Sequence, residues 1–332
     1  MQATRIPVNA RQVAERAGVS RSAVSRTFTE GASVSVATRA KVMKAAAELG
    51  YHVNHLARGL IRAETGIVCL LIGEIGTPYQ SALLDVTTRH LQAAGKVVMV
   101  LNTAADPKAT EAALRQTLNY RADATVVFSG SPPTPLVETC IASGQRVIMI
   151  NRDDLPKGTE QILVENAEAM AEAVLMLRRA GCRRLAVVSS TAGTPSIVAR
   201  ETSFVRAAVA EGLEVVVSKE GPTGYATGAA AARLLLASSK RPDGVFCVTD
   251  LMALGFMDVA RREFGRRIPD DLCIIGFDDI PQAGWISYEL TTFRQPLETM
   301  ATRILAILSG EGEPGEPFRL PVQTVWRSSV RP

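Results

Sequence analysis

A small all-α head followed by a larger α/β body is the architecture this sequence predicts, and three observations carry the prediction. The chain has 332 residues, about twice a common domain length. Residues 1 to 64 hold ten Lys/Arg against four Asp/Glu, a net of +6, while the remainder carries 27 against 29. Near Glu64 the hydrophobic pattern changes from helix-period stretches to short apolar runs alternating with amphipathic ones. A basic head on a near-neutral body suits a nucleic-acid reader joined to a separate module, although a solvated basic surface would show the same charge.

The head decides between these readings by its pattern. Val13, Ala14 and Ala17 repeat at helical spacing within Ala10 to Ala17, and Gly18 follows where a helix must stop. Val19 is expected to pack inward and Ser20 to cap a second helix, Arg21 to about Thr29, with Ala23, Val24 and Thr27 facing the first. Ser35 is placed to cap a third, Val36 to Leu49, with Val36, Ala40, Met43 and Ala47 on its inward face and Gly50 closing it. The result is a helix-turn-helix, in which the second helix enters the major groove with its first residues against base edges. Arg21, Ser22 and Arg26 are therefore the expected readers, the arginines forking onto guanine O6 and N7.

The run VAERAGVSRSAVSR, Val13 to Arg26, followed by VSVATRAKVMKAAAELGYHVN, Val34 to Asn54, resembles the DNA-binding headpiece of the LacI/GalR family of bacterial repressors. HLARGL, His55 to Leu60, resembles that family's hinge helix. The resemblance implies phosphate contacts from Ser20, Ser25, Thr29, Ser35, Thr38, Tyr51 and Asn54, which set register without reading sequence. It also places Ala57 among the DNA contacts of the hinge and makes Leu60 a minor-groove wedge that bends the duplex. Two departures are visible: Ala23 lacks the hydroxyl that a Thr often supplies, and Ile61 stands where some members carry a basic residue.

In the body, Gly66 to Gly73, Val97 to Asn102, Ala124 to Gly130 and Arg146 to Asn151 read as buried strands separated by helices. A second series, Arg184 to Ser190, Leu213 to Ser218, Asp243 to Asp250 and Asp271 to Asp279, implies a second sheet. These segments resemble the family's effector domain, two doubly wound lobes of the periplasmic-binding-protein fold around a ligand cleft. The expected division is a headpiece over 1–53, a hinge over 54–64 and an effector domain over 65–332. Within the last, lobe 1 takes about 66–164 and 293–321, and lobe 2 about 165–292 and 322–330. Ligands bind such sheets at the carboxyl ends of their strands. The candidate effector residues are accordingly Tyr79, Ser129, Asn151, Ser196, Arg200, Thr249 and Asp278. Asn151, Thr249 and one of Asp278 and Asp279 have helix capping as an alternative role, whereas Arg200 needs an acceptor for its planar fork. Thr223 stands where several members have a stacking aromatic, which weighs against a purine; a sugar, polyol or sugar acid is the expected effector, with a purine or phosphosugar as the alternative.

Other classes fit poorly. Five scattered cysteines with no CxxC pair indicate reduced core residues and neither a zinc site nor a disulfide framework, and no cofactor is implied. No nucleophile motif, GxxxxGK[ST], GxGxxG or HExxH occurs, so the chain reads as no enzyme. No apolar run is long enough for a membrane helix, and Met1 to Ala10 lacks a secretory core, so a cytoplasmic protein, nucleoid-associated when on operator, is expected instead of a transported-solute receptor. The expected partners are a near-palindromic double-stranded operator, a small effector and a second copy of the chain. The apolar face of Ser81 to Ala94 either meets that second copy or packs on its own sheet. No heptad repeat follows Arg327, so a coiled-coil tetramer is not expected.

Overall fold

Caps fix the head helices. The computed structural model describes residues 8–29, 31–52, 65–104, 106–128, 132–152, 158–311 and 316–332. Helix α1 (Ala10–Ala17) begins at Asn9, whose side chain accepts from the Arg11 and Gln12 amides while Gln12 accepts from the Asn9 amide. It ends at Gly18, whose φ of 65° is left-handed and free of the strain a Cβ would add. Ser20 Oγ accepts from the Ala23 amide at 3.2 Å to open α2 (Arg21–Thr27), and Ser35 Oγ from Thr38 at 3.2 Å to open α3 (Val36–Leu49). Val13, Ala14, Val24, Val42, Ala45 and Ala46 form the head core.

The inward face of α3 is not the expected one. Val36 and Met43 are 86% and 50% exposed, and Ala40 and Ala47 face solvent as well. Val42, Ala45 and Ala46 are buried instead, with Leu49 packed beside them. This small-residue helix carries two apolar stripes, so its period alone does not choose between them. The tertiary contacts choose: Arg39 donates to the Thr27 carbonyl at 2.8 Å, which turns the Val42 stripe toward α1 and α2.

The chain divides into two units after Thr65. In the second unit the strands are β1 (Ile67–Ile72), β2 (Val97–Asn102), β3 (Ala124–Val127), β4 (Arg146–Ile150), β5 (Glu160–Val164), β6 (Arg184–Ser189), β7 (Glu214–Lys219), β8 (Gly244–Cys247), β9 (Cys273–Ile275), β10 (Thr292–Arg294), β11 (Phe318–Leu320) and β12 (Gln323–Val325). One parallel sheet has the order β11-β5-β4-β3-β1-β2 and a second the order β7-β6-β8-β9. β10 and β12 pair antiparallel as a separate ribbon. The first sheet thus takes β11 from late in the chain, and the backbone passes between the sheets around Glu165, through β10 and again between β11 and β12.

Helices α4 (Pro78–Ala93), α5 (Pro107–Asn119) and α6 (Thr134–Ala142) cover the first sheet, together with α11 (Leu297–Ala306); α7 (Ala167–Arg179), α8 (Pro195–Ala210), α9 (Tyr225–Ala237) and α10 (Asp250–Arg262) cover the second. β1 is buried on both faces: Val68, Leu70 and Ile72 join one core cluster and Ile67, Cys69 and Leu71 another. The apolar face of α4 packs within its own lobe through Leu83, Val86 and Leu91 and lies against α11. All five cysteines are buried and unbridged. β5 escapes a reading by apolar runs because it opens with Glu160 and Gln161, both buried; Arg146 lies 3.5 Å from the Glu160 carboxylate. Among the described residues no helix is long and apolar enough to cross a membrane.

Candidate effector cleft and DNA-reading surface

In the head, α2 buries Ala23, Val24 and Thr27 and exposes Arg21, Ser22, Ser25 and Arg26 along the opposite side. Ser22 Oγ shares a 2.8 Å bond with Ser20 Oγ, and Arg26 Nε donates to the Ser22 carbonyl at 3.4 Å. Among the described residues neither Arg21 nor Arg26 is paired with a carboxylate, so both guanidinium groups are presented to solvent at the start and middle of a capped helix. Thr29 donates to Ser25 O at 2.8 Å, and Ser35 to Thr38 Oγ1 at 2.9 Å. Tyr51 leans on Phe28 with ring centroids 5.7 Å apart, so its ring belongs to the head core. Asn54, Ala57 and Leu60 lie outside the described residues.

In the body, a cleft of about 650 Å³ opens between the two sheets at the carboxyl ends of their strands. Tyr79, Asn151, Ser196, Arg200, Thr249 and Asp278 all line it; Ser129 lies outside the described residues. Tyr79 comes from the first turn of α4 and Arg200 from α8, whose four-residue spacing to Ser196 sets both on one side. Apolar surface is supplied by Phe128, Met149 and Ile150 from the first lobe and Leu251 and Ile280 from the second.

The polar groups form one connected chain. Tyr79 Oη donates to Gln295 Oε1 at 2.8 Å, and Gln295 Nε2 donates to Asp278 Oδ1 at 2.7 Å. Arg200 Nη1 faces the same Asp278 oxygen at 3.4 Å and donates to the Val248 carbonyl at 2.9 Å, while its Nε donates to Asn166 Oδ1 at 3.3 Å. The Arg200 guanidinium also stacks 3.7 Å from the centroid of Phe277. Arg200 is only 3% exposed, and Asn166, Val248 and Asp278 occupy its Nε and Nη1. Burial lowers its pKa against the opposing pull of Asp278. Burial likewise raises the Asp278 carboxyl to about 6, the nearby Arg200 and the Gln295 bond pulling the other way.

The capping alternatives resolve unevenly. Thr249 does cap α10, its hydroxyl accepting from Met252 N at 3.4 Å, and still lines the cleft. Asn151 caps no helix: it sits at a φ of 57° and its Oδ1 accepts from the Val164 amide at 3.0 Å, tying β4 to β5. Neither Asp278 nor Asp279 caps: the short helix Pro281–Gly284 has Ile280 at its N-cap with no side-chain cap bond, and Asp250 accepts from the Ile280 amide at 2.9 Å. Asp279 instead holds Arg294 and Arg327, each at 2.6 Å, on the side away from Asp278. Both aspartates have positive φ, 122° and 53°, which turns successive side chains onto different partners.

Several residues of this network escape a reading by motif. Asp250 is fully buried behind Asp278, bonded to Thr292 Oγ1 at 2.5 Å, and burial with the nearby Asp278 charge raises its carboxyl to about 8. Gly276 makes room for it, since a Cβ there would stand 2.1 Å from Asp250 Oδ1. Gln295 and Asn166, both on segments that pass between the lobes, complete the network. The sequence signal for Gln295 was its place in FRQP just after β10; nothing in local spacing marks Asn166.

Comparison with known proteins now places this geometry. The model for bacterial regulatory proteins of the lacI family matches residues 10–54, and the periplasmic binding protein-like domain matches residues 174–330. The transcriptional regulator CelR of Thermobifida fusca is 30% identical over 326 residues, covering 94% of each chain. The chain belongs to the LacI family. Catabolite control protein A of Priestia megaterium is 28% identical to this LacI-family regulator over 305 residues, covering 90% of each. Among solved structures, the lac repressor dimer bound to operator and an anti-inducer superimposes with a TM-score of 0.85 at 23% identity, over 98% of this chain and 99% of the other. A CelR–cellobiose complex gives 0.70 at 26% identity, over 97% and 99%. As a member of this family the chain is a DNA-binding transcriptional regulator, not an enzyme.

Proposed function

We propose that this regulator is a repressor whose operator affinity is set by a neutral, polyhydroxylated effector, a sugar of mono- or disaccharide size, held in the interlobe cleft. The observation that carries the reading is the closed chain from Tyr79 through Gln295 and Asp278 to Arg200. Among the described residues the buried Arg200 cation already faces the buried Asp278 anion, so the cleft floor offers oriented donors and acceptors and little net charge for an ionic ligand. Thr191, Thr194, Ser196, Thr223 and Thr249 add hydroxyls around the same space. Thr223 is bonded to Ser190 at 2.7 Å and supplies no flat surface, which leaves a purine with Tyr79 and Phe128 alone for stacking. The solved CelR–cellobiose complex, 26% identical to this chain, supports a sugar of this size.

In this reading residues 1–53 form the head, 54–64 the hinge and 65–332 the effector domain, with the lobes exchanging segments near Glu165, Thr292 and Val322. Two heads of a dimer read two half-sites of a near-palindrome. Arg21, Ser22 and Arg26 contact bases, while Ser20, Ser25, Thr29, Ser35, Thr38, Tyr51 and Asn54 contact phosphates; Ala57 and Leu60 belong to the hinge contact. The protein works in the cytoplasm and is carried on the nucleoid while bound to its operator. Effector binding acts only through unequal affinity for the DNA-competent and DNA-incompetent states. The test is calorimetric titration with neutral mono- and disaccharides, sugar acids and purine bases, followed by operator binding at saturating ligand. Saturable binding of a neutral sugar that shifts operator affinity is expected. Tight binding of a purine or sugar acid, with no neutral sugar bound, would overturn the reading.

A further inference from the structure

The geometry points to a second ligand site on the effector domain, a phosphate-selective oxyanion pocket at the amino-terminal edge of the second sheet, at the opposite end of its strands from the effector cleft. Three loops meet there, and each brings a basic doublet: Arg183 and Arg184 at the start of β6, Lys240 and Arg241 before β8, and Arg266 and Arg267 before β9. A cavity of about 270 Å³ is lined by one member of each, Arg184, Arg241 and Arg266.

The doublets divide their labour. Lys240 lies 3.8 Å from Glu214, and Arg267 is bound to Asp271 at 2.8 Å and lies 3.5 Å from Asp270. None of the three pocket-lining arginines forms an ion pair within 4 Å among the described residues, although Arg266 lies near enough to Asp271 to help hold its carboxyl ionised. Arg184 Nε donates to the Arg241 carbonyl at 2.8 Å and Arg241 Nε to the Ser238 carbonyl at 3.2 Å. These bonds orient two guanidinium groups while leaving their terminal nitrogens uncommitted, and Arg266 makes no side-chain bond at all among the described residues.

Two carboxylates also line the cavity: Asp271 is engaged on both oxygens and Asp243 on one, so the second Asp243 oxygen can accept from the P–OH of monohydrogen phosphate, a proton that sulfate lacks. Asp243 Oδ1 accepts the amides of Arg183 and Arg184, each at 2.9 Å. Both oxygens of Asp271 are taken by Arg267, through its side chain and its amide. What remains for a ligand is an excess of planar N–H forks, with the Ser239 side chain on the same wall. Forks of this kind match the paired oxygens of a tetrahedral phosphate better than any uncharged group, and the cavity volume admits a phosphate with a small organic substituent. Arg184 opens β6, a six-residue strand whose far end leads to Ser190 and Thr223 at the effector cleft, roughly 20 Å away. The pocket is therefore independent of the effector assignment.

The experiment is calorimetric titration of the full chain with inorganic phosphate, glycerol 2-phosphate and sulfate, each at constant ionic strength set with chloride. Expected is saturable binding of one phosphate species per chain, weakened about tenfold in Arg266→Gln and in Arg184→Gln, with Arg183→Gln within about twofold of the natural chain. Preference for glycerol 2-phosphate over inorganic phosphate would identify a phosphorylated metabolite as the occupant; the reverse would identify free phosphate. Arg266→Gln removes no side-chain hydrogen bond among the described residues, so its thermal midpoint without phosphate checks folding. Absence of saturable binding, equal binding of sulfate and both phosphates, or an equal loss in Arg183→Gln would overturn the proposal, the last two by showing only a diffuse basic surface.

Discussion

Asp278 Oδ1 faces Arg200 Nη1 at 3.4 Å with both side chains more than nine-tenths buried. Their attraction does not offset the loss of solvation, since burial pushes the acid up to about 6 and the base down. The pair is therefore poised, and any hydroxyl that a ligand brings to Asp278 stabilises its ionised form.

The first prediction is a pH dependence of effector affinity. In the ligand-free protein Asp278 takes up a proton near pH 6, and a ligand that donates to the carboxylate binds the ionised form. Affinity should hold steady above about pH 7 and fall as pH drops through 6, approaching tenfold per pH unit. Asp278→Asn should remove that dependence. Titrations between pH 5 and 8 decide it, and a profile shared by both proteins would assign the proton elsewhere.

Removing Arg200 should cost stability as well as ligand response. Arg200→Ala leaves Asp278 buried without its cation and the Val248 carbonyl without its donor. A loss of about 3–5 kcal/mol is expected at pH 8, smaller at pH 5 where Asp278 is neutral, read from urea unfolding. The isolated operator-binding step at a permissive temperature should change little, because the operator contact proposed above lies on the exposed arginines of α2.

Asp250 gives a stability prediction with the sign fixed by linkage. Its carboxyl rises from 3.8 to about 8, chiefly through burial, so the folded chain holds a proton that the unfolded chain releases. The stabilisation is complete below about pH 4 and is lost as pH rises through 8. Across that window the natural chain should lose about 1.4 kcal/mol per pH unit relative to Asp250→Asn, the signature of one proton. Parallel stability curves for the two proteins would show that Asp250 is ionised in the fold throughout.

How much of this was legible beforehand depended on whether a residue's job is local. The caps at Ser20 and Ser35 and the turn at Gly18 are set by neighbours in sequence, and the spacing shows them directly. The buried face of α3 was misread because Val36, Ala40, Met43 and Ala47 are as regularly spaced as the stripe that tertiary contact with α1 and α2 selects. In the cleft, strand ends revealed Asn151, Thr249 and Asp278, but their partners lie far along the chain. Arg200 meets Asn166 and Asp278, 34 and 78 residues away, and Tyr79 meets Gln295 across 216. No periodicity reports contacts of that range. Gly276 shows the same limit, since its need for a missing Cβ is created by Asp250 across the sheet end.

That last relationship is itself testable. Gly276→Ala would place a methyl 2.1 Å from Asp250 Oδ1 and 2.8 Å from Leu290 Cδ2, a space that neither neighbour vacates without losing its own contacts. Destabilisation of about 3 kcal/mol or more is expected, and Asp250→Ala in the same chain should recover part of it. Additive losses in the double variant would place the conflict elsewhere.

The final prediction concerns the exposed side of α2. Arg21 and Ser22 stand at the start of a helix capped by Ser20, and Arg26 follows on the same exposed side without a carboxylate to hold it. Residues placed to read base edges determine which half-site is preferred, whereas residues that contact phosphate alter affinity for all sites alike. Exchanging Arg21 and Ser22 should therefore change the half-site selected from random duplexes while the spacing between half-sites stays the same. Arg26→Ala should cost about 1–3 kcal/mol on the best site and much less on unrelated DNA. Thr38→Ala supplies the contrast: its hydroxyl is bonded to Ser35, outside the base-reading residues, and its loss should weaken all sequences together. If the Arg21 and Ser22 exchange leaves sequence preference unchanged while lowering affinity everywhere, α2 contacts only the backbone and the reading residues lie elsewhere in the chain.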